Sequence, residues 1–195
     1  MPRVIAGTAR GRPLKALPGD RTRPTSDRVK EALFSSLGQV IGWTVLDLYA
    51  GSGALGIEAL SRGAAHAVLV EQDRRTADVI RQNLQTAGVD ACGTVLATTV
   101  ASYCANPSGG PFDLVLMDPP YAIGVPAIET ALAALVDAGA LTEGARIVLE
   151  RATRDPGPPP GVLVHDRDRT YGETLLRYLT HRPGAVPNPQ GVTEL

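Results

Sequence analysis

The stretch VLDLYAGSGALG, residues 45–56, decides the fold, because it joins a short apolar run to a longer amphipathic stretch through glycines spaced G-x-G-x-x-G. Glycine at a strand-to-helix turn lets the chain bend tightly and lets a ligand approach the backbone closely. The spacing satisfies the fingerprint of dinucleotide-binding proteins, although alone it is a weak signal. It predicts a cofactor loop at the edge of a parallel sheet.

Around this stretch, short apolar runs bounded by glycine or aspartate alternate with amphipathic stretches, which is typical of a parallel sheet flanked by helices. The predicted strands are 44–48, 67–71, 94–97, 114–117 and 146–150. The predicted helices are 54–62, 74–87, 100–105 and 125–138, and an earlier helix starts near Asp27 and ends near Gly38. Two last strands, 162–165 and 174–179, flank a charged turn, 166–172, that is too short for a crossover helix, so they must pair antiparallel.

Length and composition fit a single domain. The chain has 195 residues, of which 44% are hydrophobic and 20% charged, and these values support a packed core rather than a disordered chain. No window approaches the roughly 18 apolar residues of a membrane span, and residues 1–20 lack the apolar core of a signal peptide. The cysteines and histidines lack metal-binding spacing. We therefore expect a soluble cytoplasmic protein that contacts no membrane and holds no metal.

The charge of the chain is unevenly distributed. Residues 1–30 hold eight basic and two acidic side chains, a sum of +6, so the remainder sums to −7 when the whole chain carries −1. A basic terminus on an acidic body is typical of a nucleic-acid-binding arm, although a merely solvated terminus gives the same pattern. Residues 3–18 are predicted to form a small β-hairpin. Deleting residues 1–18 is expected to weaken RNA binding while leaving cofactor affinity nearly intact.

Two acidic residues bear on the class of cofactor. A carboxylate at the end of the first strand can hold the ammonium group of a methionine moiety but repels a pyrophosphate, so Asp47 favours S-adenosylmethionine (SAM) over NAD. Glu71 closes the second strand and can accept hydrogen bonds from ribose hydroxyls, which both cofactors have. Asp73 is expected to cap the following helix. A purely structural glycine turn is the remaining alternative.

A second motif, Asp118-Pro119-Pro120-Tyr121, directly follows the predicted strand 114–117, where open parallel sheets bind ligands. The prolines leave carbonyls as acceptors, Asp118 adds a carboxylate, and Tyr121 offers a flat face on which a base can stack. An exocyclic amine can donate one hydrogen to Asp118 and the other to the Pro119 carbonyl. The motif therefore predicts methylation of a nucleobase amine, with a rigid strand-ending loop as the alternative.

Taken together, these motifs resemble a known family. DPPY and DLYAGSGALG look like the amino-methylating SAM-dependent methyltransferases, and the runs RVIAGTARGRPL and RPTSDRVKEALFS narrow the resemblance to the RsmD family. The resemblance covers roughly residues 3–180. It implies a bacterial enzyme that methylates N2 of one guanine, guanine 966, in 16S ribosomal RNA.

The resemblance also implies a fold and a division of the chain. The implied fold is α/β, a Rossmann-like class I SAM-dependent methyltransferase, whose mostly parallel seven-stranded sheet has an antiparallel last strand, plus a small N-terminal β-hairpin extension. We expect residues 1–20 to be a basic RNA-binding extension, 21–183 the methyltransferase domain and 184–195 a flexible tail. The expected partner is 16S rRNA or the assembling 30S subunit, and the enzyme is expected to be a monomer.

The resemblance and the basic terminus assign site residues one by one. The expected catalytic residues, which hold the guanine, are Asp118, Pro119, Pro120 and Tyr121. The expected SAM-binding residues are Asp47, Tyr49, Gly51, Gly53, Glu71, Arg23, Thr25 and Thr98. The expected RNA-binding residues are Arg3, Arg10, Arg12 and Lys15.

Other functions fit parts of the pattern. An N6-adenine methyltransferase acting on DNA or RNA could use the same tetrapeptide. A dehydrogenase would need an acid or base for hydride transfer, and no histidine lies near the predicted cleft. A non-catalytic ribosome-assembly factor could keep the fold, although the intact Asp47, Asp118 and Tyr121 argue against it.

Overall fold

A seven-stranded sheet with helices on both faces organises the chain in the computed structural model, which describes residues 2–17, 27–120 and 122–184. The helices are α1 (Asp27–Leu37), α2 (Ala54–Ser61), α3 (Arg74–Ala87), α4 (Val100–Ala105) and α5 (Val125–Asp137). The strands are β1 (Thr44–Leu48), β2 (His66–Glu71), β3 (Gly93–Ala97), β4 (Phe112–Met117), β5 (Leu141–Ala152), β6 (Val164–Tyr171) and β7 (Thr174–Thr180). A short 3₁₀ helix, Asp90–Cys92, precedes β3.

The strand order in the sheet is β3-β2-β1-β4-β5-β7-β6. Strands β1 to β5 pair in parallel, and β7 runs antiparallel to both of its neighbours. This confirms the predicted mostly parallel sheet with an antiparallel last strand. Because successive strands are added in opposite directions on the two sides of β1 and β4, a crevice opens between the carboxyl ends of these two strands, where such sheets bind ligands.

The last hairpin differs from the prediction. The segment 166–172 is not a turn, because β6 continues to Tyr171 and only Gly172 and Glu173 connect it to β7. β6 lies at the edge of the sheet and most of its residues are exposed, so it needs no alternation of apolar residues and can carry charges along its length. Its charged sequence is therefore typical of a loop, although the segment forms a strand.

Each face of the sheet buries its own hydrophobic cluster. On the first face, residues of α1, α2 and α3 pack on the sheet together with three apolar residues from the start of the chain, Val4, Ala9 and Leu14. On the second face, α4 and α5 pack on the sheet, with Tyr103 and Leu132 among their buried residues. Burial on both faces explains why β1, β2 and β4 are almost continuously apolar.

Residues 2–17, here called the N-terminal segment, lie against α2 and α3. The predicted hairpin is not present as two regular strands; within this segment one antiparallel bridge pairs Arg3 with Pro13. Glu58 of α2 is fully buried, and its carboxylate accepts hydrogen bonds from the backbone N–H groups of Ile5 (2.7 Å) and Ala6 (3.0 Å). The segment is thus docked on the domain by buried polar contacts.

Gly7 marks the tightest contact of the N-terminal segment. Its φ is +83°, and a Cβ atom built on it would lie 1.7 Å from the Ser61 carbonyl oxygen of α2. The Ser61 hydroxyl also donates to the Ala6 carbonyl (2.6 Å) and accepts from the Ala9 N–H (2.9 Å). Only glycine fits at position 7 without moving α2.

Candidate active site

The carboxyl ends of β1, β2, β3 and β4 meet at one edge of the sheet and carry most of the predicted site residues. Leu48 of β1 pairs with Met117 of β4, so the segments that leave these strands start side by side. Asp118 directly follows Met117, and Tyr49 directly follows Leu48. The sheet thus brings together the two motifs that the sequence analysis singled out.

The glycine loop between β1 and α2 adopts left-handed backbone at three positions. Tyr49, Gly51 and Gly53 have φ values of 64°, 55° and 78°. A Cβ on Gly53 would lie 2.9 Å from Ile80, so the helices leave no room there, whereas a Cβ on Gly51 would meet only the Tyr49 carbonyl at 4.0 Å. Gly53 is therefore required for packing, and Gly51 leaves open space that a ligand can approach.

Asp47 is buried below this loop, with 2% of its surface exposed. Its Oδ2 atom accepts a hydrogen bond from the Gly56 N–H (2.8 Å), which ties β1 to the first turn of α2. Burial raises the pKa of this carboxyl to about 7, and the charges of Asp118 and Glu71 add to the rise, while the Gly56 hydrogen bond opposes it. Three carboxyl groups therefore influence one another at this edge.

Glu71, at the end of β2, holds the glycine loop from the other side. Its Oε2 atom accepts a hydrogen bond from the Gly51 N–H (3.0 Å), and its Oε1 atom accepts one from the Asp73 N–H (2.9 Å). Asp73 caps α3 as predicted, since its side chain accepts from the Thr76 N–H at 2.7 Å. The carboxylate predicted to bind a ribose thus also fixes the loop.

Thr98 follows β3 at the same edge of the sheet. Its N–H donates to the Glu71 carbonyl at 3.1 Å, so its backbone lies against the end of β2. Thr99, the next residue, caps α4 by accepting from the Ser102 N–H. The structure therefore places Thr98 beside Glu71, next to the glycine loop.

Asp118 is exposed at the end of β4, Pro119 is buried and Pro120 is exposed. The Pro120 carbonyl accepts a hydrogen bond from the Ile123 N–H (2.8 Å), which ties Ile123 to the end of the motif. Tyr121, Arg23 and Thr25 lie outside the described residues. Asp118 keeps its predicted place beside the glycine loop.

Arg151, near the end of β5, is a site-supporting residue that the sequence analysis missed. Its side chain is 5% exposed, and Nη1 donates to the Ile123 carbonyl at 2.9 Å, which anchors the turn after Asp118. Its Nη2 donates to the Asp155 carbonyl (3.4 Å) and lies 3.6 Å from Asp155 Oδ2. Because its partners are chiefly backbone carbonyls in other loops, no residue spacing in the sequence marks this role.

The predicted RNA-binding side chains lie on the N-terminal segment, and three of them contact the domain. The Arg3 guanidinium pairs with Asp27 at 2.9 Å. Arg12 donates to the Thr86 carbonyl (3.0 Å), and Lys15 Nζ donates to Gln82 Oε1 (3.1 Å), both on α3. Arg10 is exposed.

The described ranges contain neither a metal-binding cluster nor a membrane-spanning helix. Within residues 2–17, 27–120 and 122–184, no group of three or more histidine, cysteine, aspartate or glutamate side chains is arranged to hold a metal ion. No helix in the same ranges has the length and apolarity needed to cross a bilayer.

Comparison with known proteins identifies the family. A family model described as "Conserved hypothetical protein 95" matches residues 2–180. Ribosomal RNA small subunit methyltransferase D of Escherichia coli is 38% identical over 178 residues, 90% of this chain and 87% of the relative. The protein of the same name from Haemophilus influenzae is 38% identical over 178 residues, 90% of this chain and 91% of the relative.

A solved structure agrees with these relatives. The structure of yhhF from Escherichia coli superposes with a TM-score of 0.80 at 34% identity, and the match covers 92% of this chain and 97% of that one. Both the sequence and the fold are thus shared over nearly the whole length. The chain therefore belongs to the RsmD family. This is the family indicated by its glycine loop, its DPPY motif and its N-terminal sequence.

Proposed function

We propose that this protein transfers a methyl group from SAM to the exocyclic N2 of one guanine, guanine 966, in 16S ribosomal RNA. The observation that carries the proposal is the position of Asp118-Pro119-Pro120, which leaves β4 beside the glycine loop that follows β1. The name ribosomal RNA small subunit methyltransferase D, which two relatives bear, supports rRNA of the small subunit as the substrate. The crevice then has a donor side and an acceptor side.

The residues of the crevice fit SAM. Glu71 and Asp118 supply negative charge for the positive ammonium and sulfonium groups of SAM, and these positive groups in turn favour the ionised form of Asp47. The same negative charge would repel the pyrophosphate of NAD. The open space at Gly51 lets a ligand lie against the loop backbone. Bound there, SAM would supply a methyl group on a positively charged sulfur. Tyr49, Gly53 and Thr98, together with Arg23 and Thr25, complete the proposed cofactor contacts.

On the acceptor side, the chain orients the amine of the guanine. Asp118 accepts one N–H of the amino group and the Pro119 carbonyl accepts the other, so that the nitrogen lone pair faces the donor. A carbon-to-nitrogen distance of about 3–3.5 Å lets positioning supply most of the rate enhancement. As the nitrogen–carbon bond forms, the bond from the methyl carbon to sulfur would break, its electron pair would go to sulfur, and S-adenosylhomocysteine would leave. The amine loses one proton, which exposed Asp118 accepts and passes to water.

The amino edge of a guanine is paired inside an RNA helix, so the target guanine must either lie in a loop or be flipped out to reach this crevice. Tyr121 stacks on the extruded base and offsets part of the unstacking cost. The N-terminal segment contributes phosphate contacts through Arg3, Arg10, Arg12 and Lys15. Acting on assembling ribosomal particles, the enzyme works in the cytoplasm.

Nucleoside analysis tests the proposal. The protein is incubated with methyl-labelled SAM and either naked 16S rRNA or 30S particles from a strain that lacks the enzyme, and the RNA is then digested to nucleosides. We expect labelled N2-methylguanosine. Labelled N6-methyladenosine would instead support the adenine-methylating alternative, and absence of label from both RNAs would contradict a methyltransferase role on small-subunit rRNA.

A further inference from the structure

Asn83 of α3 joins two parts of the proposed function, the N-terminal segment and the glycine loop. The residue is 1% exposed, and its side chain makes three hydrogen bonds. Its Oδ1 atom accepts from the Lys15 N–H at 2.7 Å, and its Nδ2 atom donates to the carbonyls of Lys15 (3.1 Å) and Ser52 (2.9 Å). One carboxamide therefore binds the backbone of both parts.

The loop end of this connection lies at the open part of the crevice. Ser52 stands between Gly51 and Gly53, both in left-handed backbone, which would move easily without anchors. Asn83 holds the Ser52 carbonyl, and Glu71 holds the Gly51 N–H. The loop is thus fixed at two peptide groups, 50–51 and 52–53, the second of them through Asn83.

The other end of the connection lies in the basic part of the N-terminal segment. Lys15 is held by Asn83 through its backbone and by Gln82 through its side chain, and Arg12 is held by the Thr86 carbonyl. An RNA phosphate that attracts the side chains of Arg12 and Lys15 therefore affects their contacts with α3, the helix that carries Asn83. The backbone of the segment cannot shift freely at this point, because the neighbouring Leu14 is fully buried in the core.

We propose that Asn83 is a positioning residue that couples RNA bound along the N-terminal segment to cofactor bound at the glycine loop, so that each ligand raises the affinity for the other. The proposal rests on the proposed function in taking the N-terminal segment as the RNA-binding arm. RNA bound at Lys15 would favour the arrangement in which the Lys15 backbone binds the Asn83 carboxamide, and the same arrangement holds the Ser52 carbonyl in place for the cofactor. By linkage, bound cofactor strengthens RNA binding by the same factor.

The test measures the dissociation constant of S-adenosylhomocysteine with and without saturating unmethylated 16S rRNA, by equilibrium dialysis. In the unchanged protein we expect RNA to lower this constant by about fivefold or more, which is usual for coupled sites. In Asn83→Ala we expect weaker S-adenosylhomocysteine binding without RNA and a coupling factor near one. A second variant, Asn83→Asp, keeps an acceptor for the Lys15 N–H but removes the donor to Ser52, and it is expected to lose coupling as well.

Ser61→Ala is the matched control. Ser61 is also buried and its hydroxyl also binds the backbone of the N-terminal segment, at Ala6 and Ala9, on α2 and away from Lys15. We expect this variant to melt at a lower temperature but to keep the coupling factor. Equal loss of coupling in Ser61→Ala, retained coupling in Asn83→Ala, or no coupling in the unchanged protein would each overturn the proposal.

The assay also separates this proposal from the proposed reaction. Binding of S-adenosylhomocysteine requires no methyl transfer, so coupling can be measured whichever base is methylated. If the labelled nucleoside is N6-methyladenosine, guanine specificity fails while the coupling through Asn83 stands. If N2-methylguanosine forms but coupling is absent, the role of Asn83 fails alone.

Discussion

In the proposed reaction, Asp118 supplies the side-chain carboxylate on the acceptor side of the crevice. Replacing it with alanine removes the carboxylate that orients the amine while leaving the glycine loop in place, so we expect methyl transfer to fall by about 100-fold or more. Affinity for S-adenosylhomocysteine should persist. Single-turnover assays and dialysis measure the two quantities, and Asp137→Ala, an exposed aspartate at the end of α5, serves as the control. Unchanged turnover in Asp118→Ala would refute its assigned role.

Asp47 makes the stability of the fold depend on pH. Its pKa is raised to about 7 in the folded protein, chiefly by burial, so the folded state binds a proton that the unfolded state has released between about pH 4 and 7. The stabilisation from this group is complete below the pKa of the unfolded chain and is lost as the pH rises through 7. Asp47→Asn should therefore raise the melting temperature at pH 8 relative to the unchanged protein, and more than it does at pH 5.

Differential scanning fluorimetry from pH 5 to 8 measures this effect. Asp73→Asn is the control: the hydrogen bond from the Thr76 N–H lowers the pKa of Asp73, so this carboxyl is ionised in both the folded and the unfolded chain from pH 5 to 8, and its replacement should change the melting temperature by the same amount at every pH. A constant difference in melting temperature between Asp47→Asn and the unchanged protein at all pH values would contradict the expectation.

Residues that act through the backbone of a ligand loop could be predicted from the sequence only in part. The glycines and Asp118 stand in motifs whose spacing reflects a local turn, so the pattern alone indicates the site. Arg151 and Asn83 bind carbonyl groups of loops that are distant along the chain. Any residue presents a carbonyl, so such contacts leave no mark on the sequence.

At the scale of elements, the loops after β4 and β5 depend on each other through Arg151. Arg151→Met removes the donor to the Ile123 carbonyl while keeping much of the packing volume. We expect a loss of stability of about 1–3 kcal/mol, because the half-buried Ile123 carbonyl loses a hydrogen bond from a charged donor. Methyl transfer should fall by roughly tenfold or more, since the turn after Asp118 loses its anchor.

The same Arg151→Met preparation should bind S-adenosylhomocysteine as the unchanged protein does, because the glycine loop lies on the other side of β4. Arg154→Met, an exposed arginine in the loop after β5, removes the same charge nearby and serves as the control. An equal reduction of turnover in the two variants would show that Arg151 contributes through charge alone. Unchanged turnover in Arg151→Met would contradict its role as an anchor.

The strands of the sheet differed in how well the sequence predicted them. β1 was predicted with its observed bounds, and β2 and β4 within two residues, because strands buried on both faces are short apolar runs between glycines and charges. β6 was predicted to end at residue 165, since an edge strand with exposed charges has neither a continuous apolar run nor a clear boundary in the sequence. The predicted N-terminal hairpin is present only as a short irregular pairing: Val4 exchanges backbone hydrogen bonds with Gly11 and Arg12, while side chains of α2 and α3 bind other backbone groups of the segment.

At the scale of the whole molecule, the basic start of the chain is part of the domain rather than an appended arm. Val4, Ala9 and Leu14 belong to the core, so deleting residues 1–18 would expose that core and weaken the anchor of the glycine loop. The expectation that such a deletion leaves cofactor affinity intact therefore does not suit this structure. The role in RNA binding is better tested by changing single charges.

Arg10 is suited to that test because it is exposed on the N-terminal segment. Arg10→Gln should weaken RNA binding and reduce the slope of log affinity against log salt by about 1, while the melting temperature stays the same. Filter binding at several salt concentrations measures the slope. Arg182→Gln, an exposed arginine that follows β7, should leave the slope unchanged, and equal slopes for both variants would favour a merely solvated terminus.

The antiparallel direction of β7 has a practical consequence. Thr180 pairs with Arg146 at the start of the regular part of β5, so the chain leaves the sheet on the side away from Asp118 and the glycine loop. A tether attached beyond residue 184 would hold the protein with its catalytic side facing outward. Immobilisation on a sensor chip through this end should therefore leave large ribonucleoprotein particles free access, whereas attachment ahead of Pro2, whose carbonyl pairs with Leu14, would strain the docked segment.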